Sequence, residues 1–133
     1  MTAGEVDYYG LDELLGEEER MTRASVRSFV EREVLPVIER CHSEEQFPRP
    51  LIARMGELGF FGANLKGYGC AGLSNGAYGL IMQELEAGDS GLRSMASVQG
   101  SLAMFAIWRW GSEEQKQRWL PAMASGRAIG CFG

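Results

Sequence analysis

The chain has 133 residues, 45% hydrophobic and 23% charged, with a net charge of −5. That is the size of one domain able to bury roughly two thirds of its unfolded surface, and it is too apolar for a disordered segment. No basic stripe is available to neutralise phosphates, so nucleic acid is not an expected partner, and no apolar run reaches the length of a bilayer.

The three cysteines, Cys41, Cys70 and Cys131, are odd in number and form no CxxC pair. The pattern argues against a disulfide framework and against zinc, and fits a reducing compartment. Each is expected as a small buried or half-buried hydrophobe. The opening "MTAGEVDYYG" has no cation ahead of its first acid and no long apolar run after it, so neither a signal nor a transit peptide is expected. A protein already processed in an organelle would read the same way.

After Asp12-Glu13-Leu14-Leu15, the residues Val26, Phe29, Val30, Val34, Val37 and Ile38 recur at helical spacing between charges. They predict one long helix, with Glu17, Glu18 and Glu19 at its positive end. Pro36 removes the bond to the Arg32 carbonyl, so a kink is expected there. A second helix opens at Pro50, turns Leu51, Ile52, Met55 and Leu58 inward and stops at Gly59. A glycine-dense loop follows.

A third helix starts near Ser74 or Asn75. A fourth starts with Asp89 or Ser90 as its cap and ends at Gly111. Its stripe of Met95, Val98, Leu102 and Phe105 is expected to be core, as are Trp108, Trp110 and Trp119 around the next turn. Ser112-Glu113-Glu114-Gln115 fits a capping box opening a fifth helix, which runs to Gly126. Only "AIGCFG" reads as extended, and there is no internal repeat. The expected architecture is an all-α bundle over residues 1–126, followed by a strand-like stub over 127–133.

Several motifs fail on context. Gly67, Gly69 and Gly72 match G-x-G-x-x-G, but a helix precedes them where a dinucleotide site needs a strand, so they read as an interhelical loop. His42 is the only histidine and sits near a helix C-terminus beside Glu44 and Glu45, with no nucleophile pattern near it. It reads as a surface histidine, and no metal site is expected. Arg93 is the informative residue. On pattern alone it reads as a surface arginine paired with Glu86 or Asp89. The other reading is a guanidinium facing a ligand carboxylate, with Ser94 as a further donor.

The segment "MGELGFFGANLKGYGCAGLSNGAYGLIMQELEAGDSG", the following "LRS" and the final "GSEEQKQRWLPAMASGRAIGCFG" resemble the N-terminal helical domain of acyl-CoA dehydrogenases. The resemblance runs from about Tyr8 to Gly133 and is greatest to the glutaryl-CoA dehydrogenase branch. It implies that "AIGCFG" is the first strand of a middle β-domain, and that this chain is the N-terminal part of a larger enzyme. It implies FAD as cofactor, with hydride passing to it from the acyl β-carbon while a glutamate in a later domain takes the α-proton. In the glutaryl branch decarboxylation to crotonyl-CoA follows. The resemblance also implies an electron-transfer flavoprotein as acceptor, a homotetramer, and a cytoplasmic protein in a bacterium or a mitochondrial matrix protein in a eukaryote. By the same resemblance Arg93 and Ser94 hold the substrate's distal carboxylate, Glu86 is their acidic neighbour, and Phe132 lies at the edge of the flavin pocket. This chain alone is expected to be inactive. Two alternatives stay open: a stand-alone helical interaction module or split subunit, and a dehydrogenase for another acyl-CoA in which Arg93 is structural.

Overall fold

A computed structural model describes residues 7–133. Most of "MTAGEVDYYG", which carries the expectation about a signal or transit peptide, therefore lies outside the described residues. After a single 3-10 turn, Leu11–Leu14, the chain enters helix α1, Glu17–Phe29. The Glu19 carboxylate accepts the Gly16 N–H at 3.0 Å, filling one of the orphan donors that every helix start exposes.

The interruption expected at Pro36 takes the form of a π-helical turn, Val30–Val34, ahead of helix α2, Leu35–Ser43. The Leu35 N–H reaches back to the Val30 carbonyl, five residues away. Pro36 then falls in the first turn of α2, where its missing donor leaves no hole.

Helix α3 is Pro50–Glu57, with Leu51 and Met55 buried and Ile52 and Leu58 half-buried. Gly59 ends the turn at φ +75°. Close approach fixes Gly56: a Cβ there would collide with the backbone of Ser125 and Gly126, where the end of the last helix crosses α3. Helix α4, Asn75–Gly88, is capped by the Ser74 hydroxyl, which accepts the Ala77 N–H at 3.0 Å. Asp89 alone separates it from α5, Ser90–Ser97. A second π turn, Val98–Met104, joins α5 to α6, Phe105–Trp110. Helix α7, Glu113–Ala124, opens with the expected capping box: Ser112 Oγ accepts the Gln115 N–H at 3.2 Å, and Gln115 Oε1 accepts the Ser112 N–H at 2.8 Å.

Helix α1 packs on α4, and α4 on α5. The core between them holds Val26, Phe29, Phe61, Ile81, Leu92, Met104 and Leu120. Phe29 and Phe60 meet edge to face at 5.5 Å, a geometry that adds to their burial. One ion pair is built into this contact. The Glu84 side chain is 5% exposed and receives both Nε (2.9 Å) and Nη2 (2.7 Å) of Arg27.

Three sequence expectations need correction. The stripe thought to be core is not: Met95 and Val98 are half-buried, and Leu102 and Phe105 are exposed. The inward face belongs instead to Leu92 and Ala96 of α5 and to Gln99 and Met104 of the π turn. Of the tryptophans only Trp108 is half-buried; Trp110 and Trp119 are exposed. Cys131 is exposed, whereas Cys41 and Cys70 are half-buried as expected. Among the described residues none forms a strand, so "AIGCFG" runs on from α7 without a ladder, which requires a second strand.

The Arg27 pair sets a stability test. Removing one partner of a buried pair leaves an uncompensated charge. Arg27→Met is expected to destabilise the chain by about 3 kcal/mol, the low end of that class because Arg27 is a third exposed. Urea denaturation monitored by circular dichroism measures it. A loss under about 0.5 kcal/mol would place the pair with ordinary surface bridges.

Candidate functional site

The corner between α4 and α5 positions the residues singled out in the sequence. Asp89 is extended at φ −165°, ψ 125°, and its Oδ1 accepts the Leu92 N–H at 2.7 Å, capping α5. Its other oxygen, Oδ2, lies 2.8 Å from His42 Nε2 at the end of α2. His42 is thus a surface histidine, as read, with a partner 47 positions along the chain that the local sequence did not indicate.

The turn at Asp89 brings the last turn of α4 beside the first turn of α5. Arg93 Nε donates to Glu86 Oε2 at 2.6 Å. The side chains are 35% and 49% exposed, so solvent reaches the pair. The pattern reading of Arg93 as paired with Glu86 or Asp89 is met at Glu86. The bond uses Nε, and the terminal nitrogens make no hydrogen bond among the described residues. Ser94 is exposed next to Arg93. Ser94 and Val98 are one turn apart, so Ser94 shares a helix face with the second residue of the half-exposed apolar stripe.

Phe132 lies elsewhere, 79% exposed. It borders an apolar groove of about 340 Å³ whose walls include Leu102, Ile107, Trp119 and Ile129. The structure therefore brings Glu86, Arg93 and Ser94 together and sets Phe132 in a second region. Sequence reasoning passed over Gln99, which is fully buried beneath this groove. It donates to the Met123 carbonyl at 3.0 Å and the Ala128 carbonyl at 2.8 Å, and accepts the Gly130 N–H at 2.8 Å. A signal was present: Gln99 follows Leu92 and Ala96 at i+7 and i+3, on the buried face.

The glycine-rich loop is tied down from the other side. Trp108 Nε1 donates to the Lys66 carbonyl at 3.0 Å, and the Tyr68 hydroxyl to Glu113 Oε2 at 2.9 Å. Hydrogen bonds from Gln117 and then Tyr68 hold the Glu113 carboxyl below its ordinary value, and the Glu113 bond raises the Tyr68 phenol. Gly67 and Gly69 take positive φ, +81° each, within this loop, which leads into α4 with no strand ahead of it. Burial pushes the Cys70 thiol up, away from thiolate chemistry. Among the described residues no group of three potential metal ligands occurs, and no helix is long and apolar enough to cross a membrane.

The order and packing of the helices define an all-α bundle domain. Residues 16–127 match the family model for "Acyl-CoA dehydrogenase, N-terminal domain". The chain belongs to the acyl-CoA dehydrogenase family, as the motifs implied. It is 36% identical over 119 residues to the short-chain specific acyl-CoA dehydrogenase of Bos taurus mitochondria, covering 89% of this chain and 29% of that protein. Among solved structures it is similar to a glutaryl-CoA dehydrogenase from Mycobacterium smegmatis in complex with FADH2, at 52% identity and TM-score 0.91, covering 94% of this chain and 32% of that one. A further structure of glutaryl-CoA dehydrogenase from Mycobacterium smegmatis gives 57% identity, TM-score 0.90 and coverage of 93% and 32%. The chain thus spans about a third of the length of the relatives it matches.

The tyrosine latch has a pH signature. A depressed carboxyl contributes stability above its ordinary value of 4.5 that is lost as pH falls, and a raised phenol contributes stability below 10.0 that is lost as pH rises. Tyr68→Phe is therefore expected to speed hydrogen exchange in loop 66–70 between about pH 5 and 9, the window inside those two values. The difference from the parent chain should close on either side of it. A difference that persists unchanged however far pH falls below 4.5 while the chain stays folded would mean that Tyr68 acts by packing alone.

Proposed function

We propose that the chain is the N-terminal helical domain, residues 1–126, of a flavin-dependent dehydrogenase acting on glutaryl-CoA, with residues 127–133 opening a following β-domain. The observation that carries this reading is the set of the Arg93 guanidinium. Glu86 holds it by Nε, which leaves the terminal edge of the fork for a carboxylate. Ser94 stands beside it, and the Met95–Val98–Leu102 stripe leads away from it as a half-exposed apolar track suited to an acyl chain. Identity of 52–57% to the Mycobacterium smegmatis glutaryl-CoA dehydrogenase structures, against 36% to the short-chain enzyme, supports the same branch.

In this reading Arg93 and Ser94 bind the distal carboxylate, and Glu86 orients Arg93. A carboxylate carried into an acyl tunnel is costly unless a fixed cation and donors meet it. A plain fatty acyl chain would leave those donors unpaired, so the site discriminates against it. The residues present fit one part of a flavin site. Phe132 offers an exposed ring beside Ile129 and Leu102, an apolar rim for a planar ring and not a phosphate cradle. FAD bound there supplies the acceptor for the substrate's hydride. The general base belongs to a later domain, so this chain alone does not catalyse. Decarboxylation to crotonyl-CoA, electron transfer to an electron-transfer flavoprotein and a homotetrameric assembly belong to the same proposal, as does a bacterial cytoplasmic or mitochondrial matrix setting.

The Glu86–Arg93 bond also favours a second reading, in which Glu86 satisfies Arg93 and the substrate is another acyl-CoA. The two separate in the full-length enzyme. Arg93→Gln is expected to lower kcat/KM for glutaryl-CoA by about 100-fold, the loss of one charge-assisted contact, and to leave butyryl-CoA within a few-fold. An unchanged ratio between the two substrates sinks the carboxylate role.

A further inference from the structure

The bonds of Gln99 form a pattern usually made by backbone. In a parallel β-bridge centred on residue i, the partner residue donates its N–H to the carbonyl of i−1 and accepts the N–H of i+1. The Gln99 carboxamide does both: Nε2 donates to Ala128 O and Oε1 accepts Gly130 N–H, around Ile129. Its second amide hydrogen goes to the Met123 carbonyl at the end of α7, so the same group ties the segment to the bundle. Gln99 is fully buried, and every polar atom of its side chain is used.

The approach is close enough to require Gly130. A Cβ there would sit 2.5 Å from Ala103 Cβ and 2.7 Å from Met123 Cε. The Ala128 N–H is also taken, by the Ala122 carbonyl at 3.1 Å. The Ala128 carbonyl and the Gly130 N–H both face the bundle at Gln99, and the alternation of a strand would turn the backbone groups of Ile129 the other way. The Ile129 N–H and carbonyl make no hydrogen bond among the described residues.

We propose that Gln99 is a positioning residue that stands in for a neighbouring strand. It fixes the register of Ala128–Gly130 as that segment leaves α7, and leaves only the Ile129 edge for sheet pairing. A buried polar group whose bonds are all made specifies one arrangement, because a one-residue slip would strand its donors and acceptor. The register follows from bonds within this chain alone. The statement that a sheet adds at Ile129 rests on the reading above, in which a β-domain follows.

The test uses the 133-residue chain and no substrate, so its failure is separate from failure of the substrate assignment. In the unaltered protein, NMR should detect a scalar coupling across the hydrogen bond from the Gly130 amide nitrogen to the Gln99 side-chain carbonyl carbon. Its absence, with both signals assigned, overturns the proposal. Gln99→Met fills the same volume without the bonds. It is expected to raise Gly130 amide exchange about tenfold or more, while the Gln46 amide, bonded to the Cys41 carbonyl at the end of α2, keeps its parent rate. Equal acceleration at both amides means loss of general stability and overturns a local role. Gln99→Glu provides rescue where the methionine variant folds poorly. Its ionised carboxylate would face the Ala128 and Met123 carbonyls with no hydrogen to give them and push the segment away, whereas its protonated carboxyl can donate to Ala128 and accept from Gly130, so Gly130 protection should be regained as pH falls. A Gly130 protection factor that ignores pH in that variant counts against the proposal.

Discussion

The corner at Asp89 is the constraint on which the candidate site depends. One residue joins α4 to α5, so the two helices cannot choose their angle independently. The Asp89 carboxylate caps α5 with one oxygen and takes His42 with the other. The corner is therefore fixed by three elements at once: α4 through the chain, α5 through its first turn, and α2 through the imidazole. Only with the corner so fixed do Glu86 and Arg93, seven residues apart in sequence but on different helices, come within hydrogen-bond reach. A straight helix would also place i and i+7 on one face, but two turns apart, about 10 Å along the axis.

Away from that corner, polarity runs counter to the simplest expectation. Gln99 and Glu84 are buried, while Leu102, Phe105, Trp110, Trp119 and Phe132 face outward. Each buried polar group has its partners: Glu84 both nitrogens of Arg27's fork, and Gln99 three backbone groups. Neither therefore bears the penalty of an orphaned group. Several of the outward apolar residues flank the groove above Gln99, and such contiguity distinguishes a surface that meets something from scattered exposed leucines.

Much of this could be read from the sequence because it is local. Caps at Ser74, Asp89 and Ser112 need only the residues three positions on, and all three fall where the pattern put them. The interruption near Pro36 was legible for the same reason, although its form was not. A missing donor says that a bond is lost, and the neighbouring side chains decide whether the helix bends or widens. The exposed stripe on α5 and α6 was misread because periodicity finds an apolar face without saying what covers it. The π turn then shifts the register that a constant 3.6-residue repeat assumes. His42 with Asp89, Arg27 with Glu84 and Gln99 with Gly130 join positions 47, 57 and 31 apart, and a single sequence carries no local mark of such partners.

Under the proposed function, Arg93 has to be both paired and receptive. Arg93 and Glu86 together are close to neutral, so attraction of net charge would do little to choose a dicarboxylyl chain. Geometry has to do it. A guanidinium presents five donors in a rigid plane, and Glu86 occupies the Nε corner, which also restrains rotation of that plane. The remaining donors then have a fixed direction before any ligand arrives, so less side-chain freedom is lost on binding. A ligand carboxylate there would complete their hydrogen bonds, whereas a methyl end would strip water from them and return nothing. In that reading, discrimination would come from the unmet donors, and more so in a drier site. Glu86 contributes by setting the orientation of the fork, so its loss should cost selectivity even though it removes a negative charge from beside an anionic ligand.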